Sequence, residues 1–270
     1  MKKYMVAAAM LVSFLAPAAA SAGGRVAVVA TYPSFDYDIV NKLVATGRFS
    51  SVDYINVATT TPTLAKLQEY QSVFAFSNGS FFNRDLLGNV MDSYLRSGGG
   101  VVVGLFGFNY GELGGAFAND YALQPGRGYT NGQRRTLGAV LLPNDPLMAG
   151  VTAFDGGSSS YHSVTGLVPG AVAVANYDNG TPLVAKRTVA GFQTVNLNFH
   201  PGSSDMRSDF WVSSTGGTAL IANALENVGA VAAVPEPATW AMMLVGFGMI
   251  GATARYRRRR TVSTRVSYAC

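Results

Sequence analysis

The sequence predicts an α/β fold built on a doubly wound, mainly parallel sheet. Three observations lead there. Strand-like and helix-like segments alternate from Arg25 to Phe106. The strand-like segments are continuous apolar runs such as RVAVVAT (Arg25 to Thr31), which call for burial on both faces. The segments between them each carry one apolar stripe at helical spacing.

A leader precedes this pattern. Lys2 and Lys3 stand before an apolar run from Met5 to Ala20, which leads into Ala20-Ser21-Ala22-Gly23. A positive start, an apolar stretch and small residues at the end describe a secretory signal peptide. Residues 1–22 are therefore expected to be removed between Ala22 and Gly23 by the general secretion machinery, and the remainder to work outside the cytoplasm.

The body is expected over residues 23–229. Arg25 to Thr31 is the first strand, and Asp36 to Thr46 a helix with Ile39, Val40, Leu43 and Val44 on one face. Gly47 stands where a C-terminal cap belongs. Val52 to Val57 reads as a second strand, Pro62 to Tyr70 as a short helix with proline near its start, and Ser72 to Ser77 as a third strand. Asn83 can cap the next helix, whose stripe is Leu86, Leu87, Val90, Met91, Tyr94 and Leu95. The Gly98-Gly99-Gly100 run ends it before a fourth strand, Val101 to Phe106.

The second half is less regular. Gly107 to Leu137, rich in Gly, Asn and Tyr, is expected to be a long surface excursion. The runs AVAVANY, PLVAKR and FQTVNLNF are further strands, expected as an antiparallel extension, and a last helix spans Thr218 to Val228. No repeat or second domain is visible.

Charge is distributed unevenly. Of the 20 Lys and Arg, two lie in the leader and six after residue 254, leaving 12 against 14 acidic residues between Gly23 and Val234. The body is thus weakly acidic, and no nucleic-acid partner is expected. Cys270 is the only cysteine, so an exported body must rely on its core without a disulfide.

The C-terminal region divides into a linker with Pro235-Glu236-Pro237 (230–237), an uncharged apolar span (238–254) and a basic tail (255–270) containing Arg257, Arg258, Arg259 and Arg260. Seventeen uncharged residues reach the lower limit for crossing a bilayer, and the arginines would stay on the cytoplasmic side. Together with Trp240-Ala241, these features resemble a PEP-CTERM sorting signal in its variant with Trp-Ala after the motif. That resemblance implies recognition and cleavage by exosortase, a membrane protease, during export to the cell surface of a Gram-negative bacterium. It also implies an association with exopolysaccharide and biofilm material. Contact with the membrane would run only through the 238–254 helix and only before processing. The segment Thr261 to Cys270 extends beyond the usual end of such tails.

The body resembles the class I glutamine amidotransferase-like fold, a flavodoxin-like arrangement, through the succession SVFAFSN, DSYLRSGGGVVVGLF, NDPLMAGV, DNGTPLVAKR, FQTVNLNFHPG and ALIANALENV. In its catalytic members a cysteine stands on a sharp turn after the fourth strand, and a His-Pro-Glu motif supplies the base and its orienting acid. Here the turn reads Gly104-Leu105-Phe106-Gly107, without a nucleophile, and the late motif reads His200-Pro201-Gly202, without the acid. The family's chemistry is not expected.

Ligands of open α/β sheets bind beyond the carboxyl ends of the strands. Those ends carry Tyr32, Asp36, Ser77, Asn78, Phe106, Phe108, Asn109 and His200, whose rings and polar edges suit a sugar. The expected function is a non-catalytic surface protein of the polysaccharide layer, with polysaccharide as a partner. Two alternatives stay open: a secreted carbohydrate hydrolase using His200 with Asp36 or Asp205, and a structural or partner-binding protein without a cleft. No cofactor motif and no closely spaced metal-ligand set is present, so neither a cofactor nor a metal is expected.

Overall fold

The computed structural model describes residues 23–126 and 128–229, together with helical positions at Met243, Gly246, Phe247, Met249, Ile250 and Arg255. The leader, the linker and the arginines Arg257 to Arg260 lie outside the described residues, as does most of the 238–254 span. Among the described residues no helix is long and apolar enough to cross a membrane.

The first half follows the predicted alternation. It runs β1 (Gly23–Ala30), α1 (Pro33–Ala45), β2 (Phe49–Asn56), α2 (Leu64–Leu67), β3 (Ser72–Ala75), α3 (Arg84–Arg96) and β4 (Gly100–Gly104). The second half adds β5 (Tyr129–Thr130), β6 (Leu137–Val140), β7 (His162–Ser163), β8 (Ala171–Tyr177), β9 (Pro182–Val189), β10 (Phe192–Leu197) and α4 (Gly217–Gly229). Eight strands form one sheet in the order β2-β1-β3-β4-β10-β9-β8-β6, and β5 pairs with β7 separately. From β2 to β10 the neighbours are parallel, and β9, β8 and β6 continue the sheet antiparallel.

Alternation along the parallel strands explains their apolar runs. Val26 and Val28 of β1 enter a core beneath α1 and α4, while Ala27 and Val29 enter a second core beneath α3. Asn83 caps α3 by accepting the Leu86 N–H at 2.9 Å, and Gly47 takes φ +65° after α1.

Several expectations need correction. Val44 and Leu86 are exposed, each standing at the edge of its apolar stripe rather than at its centre. The helix expected from Pro62 to Tyr70 is one turn, Leu64–Leu67. FQTVNLNF does not belong to the antiparallel extension; β10 pairs in parallel with β4 and completes the parallel part.

The largest departure concerns Gly107 to Leu137, which is no surface excursion over its first half. Phe108, Leu113, Phe117, Tyr121, Ala122 and Leu123 are buried in the core beside α3. Polar side chains of the late strand fasten the irregular chain there. Thr194 Oγ1 donates to the Asp120 carbonyl at 2.9 Å, and Asn196 Oδ1 accepts the Ala122 N–H at 2.9 Å. Just past β10, Asn198 accepts the Ser163 N–H at 2.8 Å and donates to the Ser163 and Pro182 carbonyls. These bonds satisfy backbone groups that a loop would otherwise bury unpaired.

Candidate functional site

The site lies at the carboxyl ends of β3, β4 and β10, where the chain makes two unusual turns. After β4 the backbone bends sharply, closed by a bond from the Gly107 N–H to the Gly104 carbonyl at 3.0 Å. A Cβ on Gly107 would stand 2.8 Å from the Ala75 carbonyl oxygen, so the turn sits too close to β3 for any side chain. Phe106 takes φ +67° at this elbow and Tyr110 takes φ +59° just beyond it. Left-handed backbone is costly for aromatic residues and clusters at sites where the surroundings enforce it.

The second turn follows β10 and carries His200, which is 6% exposed. Its surroundings fix its protonation. Asp36, buried, accepts the Tyr32 N–H at 2.7 Å, the Tyr54 hydroxyl at 3.0 Å and Asn78 Nδ2 at 2.9 Å. Burial raises the Asp36 carboxyl pKa, and these three donors oppose that rise. Because the amide nitrogen of Asn78 is turned to Asp36, its oxygen meets His200 Nε2, which must therefore carry the proton. His200 Nδ1 accepts the Gly202 N–H at 3.2 Å. Both ring nitrogens are thus engaged, and burial, aided by the Arg207 charge, lowers the His200 pKa to about 4. The imidazole is neutral at ordinary pH.

Above these turns opens a cavity of about 650 Å³. Phe106, Tyr110, Tyr129, Tyr161 and Phe210 supply aromatic walls, while Ser77, Asn78, Arg84, Glu112, His200 and Arg207 supply polar ones. Tyr129 meets Phe106 edge-on at 5.0 Å between centroids and stacks on Tyr161 at 6.0 Å. His200 lies against Phe210 at 4.5 Å. Arg207 is fixed to Asp209 at 2.7 Å and lies over the Phe210 ring at 4.2 Å, continuing that wall with a flat guanidinium.

Of the strand-end residues predicted from sequence, Ser77, Asn78, Phe106 and His200 line this cavity. Asp36 stands behind it and orients Asn78. Tyr32 does not line it; its ring is exposed beside Phe35, and only its backbone N–H serves the network. Phe108 and Asn109 do not line it either, because the chain turns inward after Phe106. Phe108 is core, and Asn109 donates to Ser163 Oγ at 3.2 Å. Asp205 accepts from Lys42 and from Ser213 Oγ, and it makes no contact with His200. The pairings predicted for a hydrolase, His200 with Asp36 or Asp205, are not made.

Tyr110, Tyr129, Tyr161, Arg84, Glu112, Arg207 and Phe210 were not anticipated from sequence. The only signal for the tyrosines was their density in a segment without periodicity. Among the described residues no three His, Cys, Asp or Glu side chains are grouped to hold a metal ion.

Comparison with known proteins decides the nature of the C-terminal region, since residues 233–260 match the PEP-CTERM protein-sorting motif. The tail is a PEP-CTERM sorting signal. It marks the chain as an exosortase-sorted protein, exported, held at the membrane for sorting and then delivered to the surface. No curated protein matches the chain. Among solved structures, the cytoplasmic protein STM3548 from Salmonella typhimurium is similar at 13% identity and a TM-score of 0.56, over 75% of this chain and 98% of that one. SMU.1228c is similar at 10% identity and a TM-score of 0.50, over 76% and 99%. A glutamine amidotransferase from Thermotoga maritima is similar at 12% identity, over 68% and 79%, with a TM-score of 0.47. Likeness at these identities concerns the fold alone. The PEP-CTERM tail and the α/β body are therefore separate findings, one about destination and one about architecture.

Proposed function

We propose that the body is a non-catalytic carbohydrate-binding module of the exopolysaccharide layer, carried to the surface of a Gram-negative bacterium by its sorting tail. On this reading residues 1–22 are the removed leader, 23–229 the working domain and 238–254 a temporary anchor. The observation that carries it is the aromatic cavity at the strand ends. Rings set around polar groups suit a sugar, whose C–H faces stack on aromatics while its hydroxyls bond to polar edges.

The same geometry argues against hydrolysis. The elbow that could expose a nucleophile carries Phe106 instead. The imidazole that could serve as a base is buried, neutral and bonded at both nitrogens, with no carboxylate on either one. Gly202 is part of the reason: its N–H occupies Nδ1, the nitrogen that an orienting acid would hold.

The test is a glycan array probed with the mature exported protein, followed by titration of the best ligand against Tyr129→Ala. Binding to at least one polysaccharide is expected, with affinity about tenfold lower in the variant through loss of a stacking face. A protein that binds no glycan overturns the proposal.

A further inference from the structure

Deepening that carbohydrate reading, on which this inference rests, we propose that the cavity selects uncharged saccharides and rejects anionic ones such as uronates. Two cations line the cavity, Arg84 and Arg207, and either would be an obvious receptor for a sugar carboxylate. Both are already engaged. Arg207 holds Asp209 with two nitrogens, reaches the Tyr161 hydroxyl at 3.3 Å and lies over the Phe210 ring. Arg84 lies between Glu112 at 3.2 Å and Asp85 at 3.7 Å.

Each lining cation is matched by a carboxylate of its own. Glu112 and Asp85 flank Arg84, Asp209 holds Arg207, Asp36 lies behind the wall on Asn78, and His200 adds no charge. An entering anion would have to displace a protein carboxylate from its guanidinium. A cationic sugar gains little, because Glu112 and Asp209 are held by the arginines and Asp36 is buried under three donors. What remains for recognition is aromatic face and neutral hydrogen bonding. Arg207 then acts as a rigid planar extension of the aromatic wall rather than as an anion hook.

The experiment is calorimetric titration of the mature exported protein at low and high salt. Its probes are neutral hexasaccharides of glucose, mannose, galactose and xylose, hexagalacturonate, and a hexamer of glucosamine. The expected result is binding of at least one neutral probe with an affinity unchanged by salt, and no binding of hexagalacturonate. Asp209→Asn frees Arg207 and Glu112→Gln frees Arg84. Each is expected to raise hexagalacturonate affinity about tenfold or more, in a salt-sensitive manner. Such a gain would not follow from mere loosening of the structure, and the second variant serves if the first fails to fold. Tightest binding of hexagalacturonate or of the glucosamine hexamer by the wild-type protein overturns the inference while leaving a carbohydrate site in place. So does the absence of any gain in a folded variant. Silence with every probe overturns the carbohydrate reading as well.

Discussion

The parallel strands and the chain from Leu105 to Ser163 share the same two cores but are held there by different means. Strands β1, β3 and β4 are held by apolar side chains alternating between two cores, a pattern that repeats every second residue. Outside the short strands β5, β6 and β7 the irregular chain has no such period. It is held by scattered rings and by Thr194, Asn196 and Asn198, which bond to its backbone from the late strand. The difference has a functional side. Three of the four non-glycine residues with positive φ among those described, Phe106, Tyr110 and Ser160, lie in the irregular chain. The regular part supplies a rigid floor, and the fastened part aims aromatic groups over it.

Removing a ring from the irregular chain tests this difference most severely. Phe117 is fully buried, although its surroundings in sequence are Gly, Ala and Asn. Phe117→Ala is expected to destabilise the protein by about 3–5 kcal/mol in urea denaturation, as a core substitution would. A loss of only a few tenths of a kcal/mol would return the segment to the status of a surface loop.

That contrast also explains what was legible in the sequence. The order of the first four strands, the cap at Asn83 and the cavity at the strand ends were readable, because each depends on local pattern or on a general rule of α/β sheets. Burial of Phe117 and Tyr121 was not readable, because the backbone beside them is paired by Asn196 and Thr194, 74 residues away from the groups they bond. A usable signal did exist: Thr194 and Asn196 of β10 and Asn198 just past it recur at every second position, between the apolar Val195 and Leu197. Polar groups on a buried strand face must have partners, and those partners are the irregular backbone. Asp205 misled for the opposite reason, since closeness to His200 in sequence did not survive the turn at Pro201 and Gly202.

At the junction of the two parts His200 meets Asn78. The His200 pKa is lowered from 6.5 to about 4 in the folded protein, so the folded state favours the neutral ring. Its contribution is fully present above pH 6.5 and is lost as pH falls toward 4, because the unfolded chain binds the proton first. Urea denaturation should therefore show the wild-type protein losing about 3 kcal/mol more than His200→Gln between pH 7 and pH 4. His162, whose pKa is also lowered by burial, is present in both proteins and drops out of the difference. Equal losses would mean that the ring is not locked, and the objection to His200 as a base would fall with it.

The smallest effect isolates the elbow itself. Replacing Phe106 by either alanine or glycine removes the ring, so the two variants lose the same contacts with Tyr129 and His200. They differ only in backbone freedom at φ +67°, where alanine retains the strain and glycine does not. Phe106→Gly is therefore expected to be about 1 kcal/mol more stable than Phe106→Ala in urea denaturation. A difference of that sign would show that the turn enforces its conformation on whatever residue stands there, and that in this protein the strain serves to aim a ring. If alanine is as stable as glycine, the turn relaxes once the ring is gone. Phe106 would then be holding the elbow rather than being held by it.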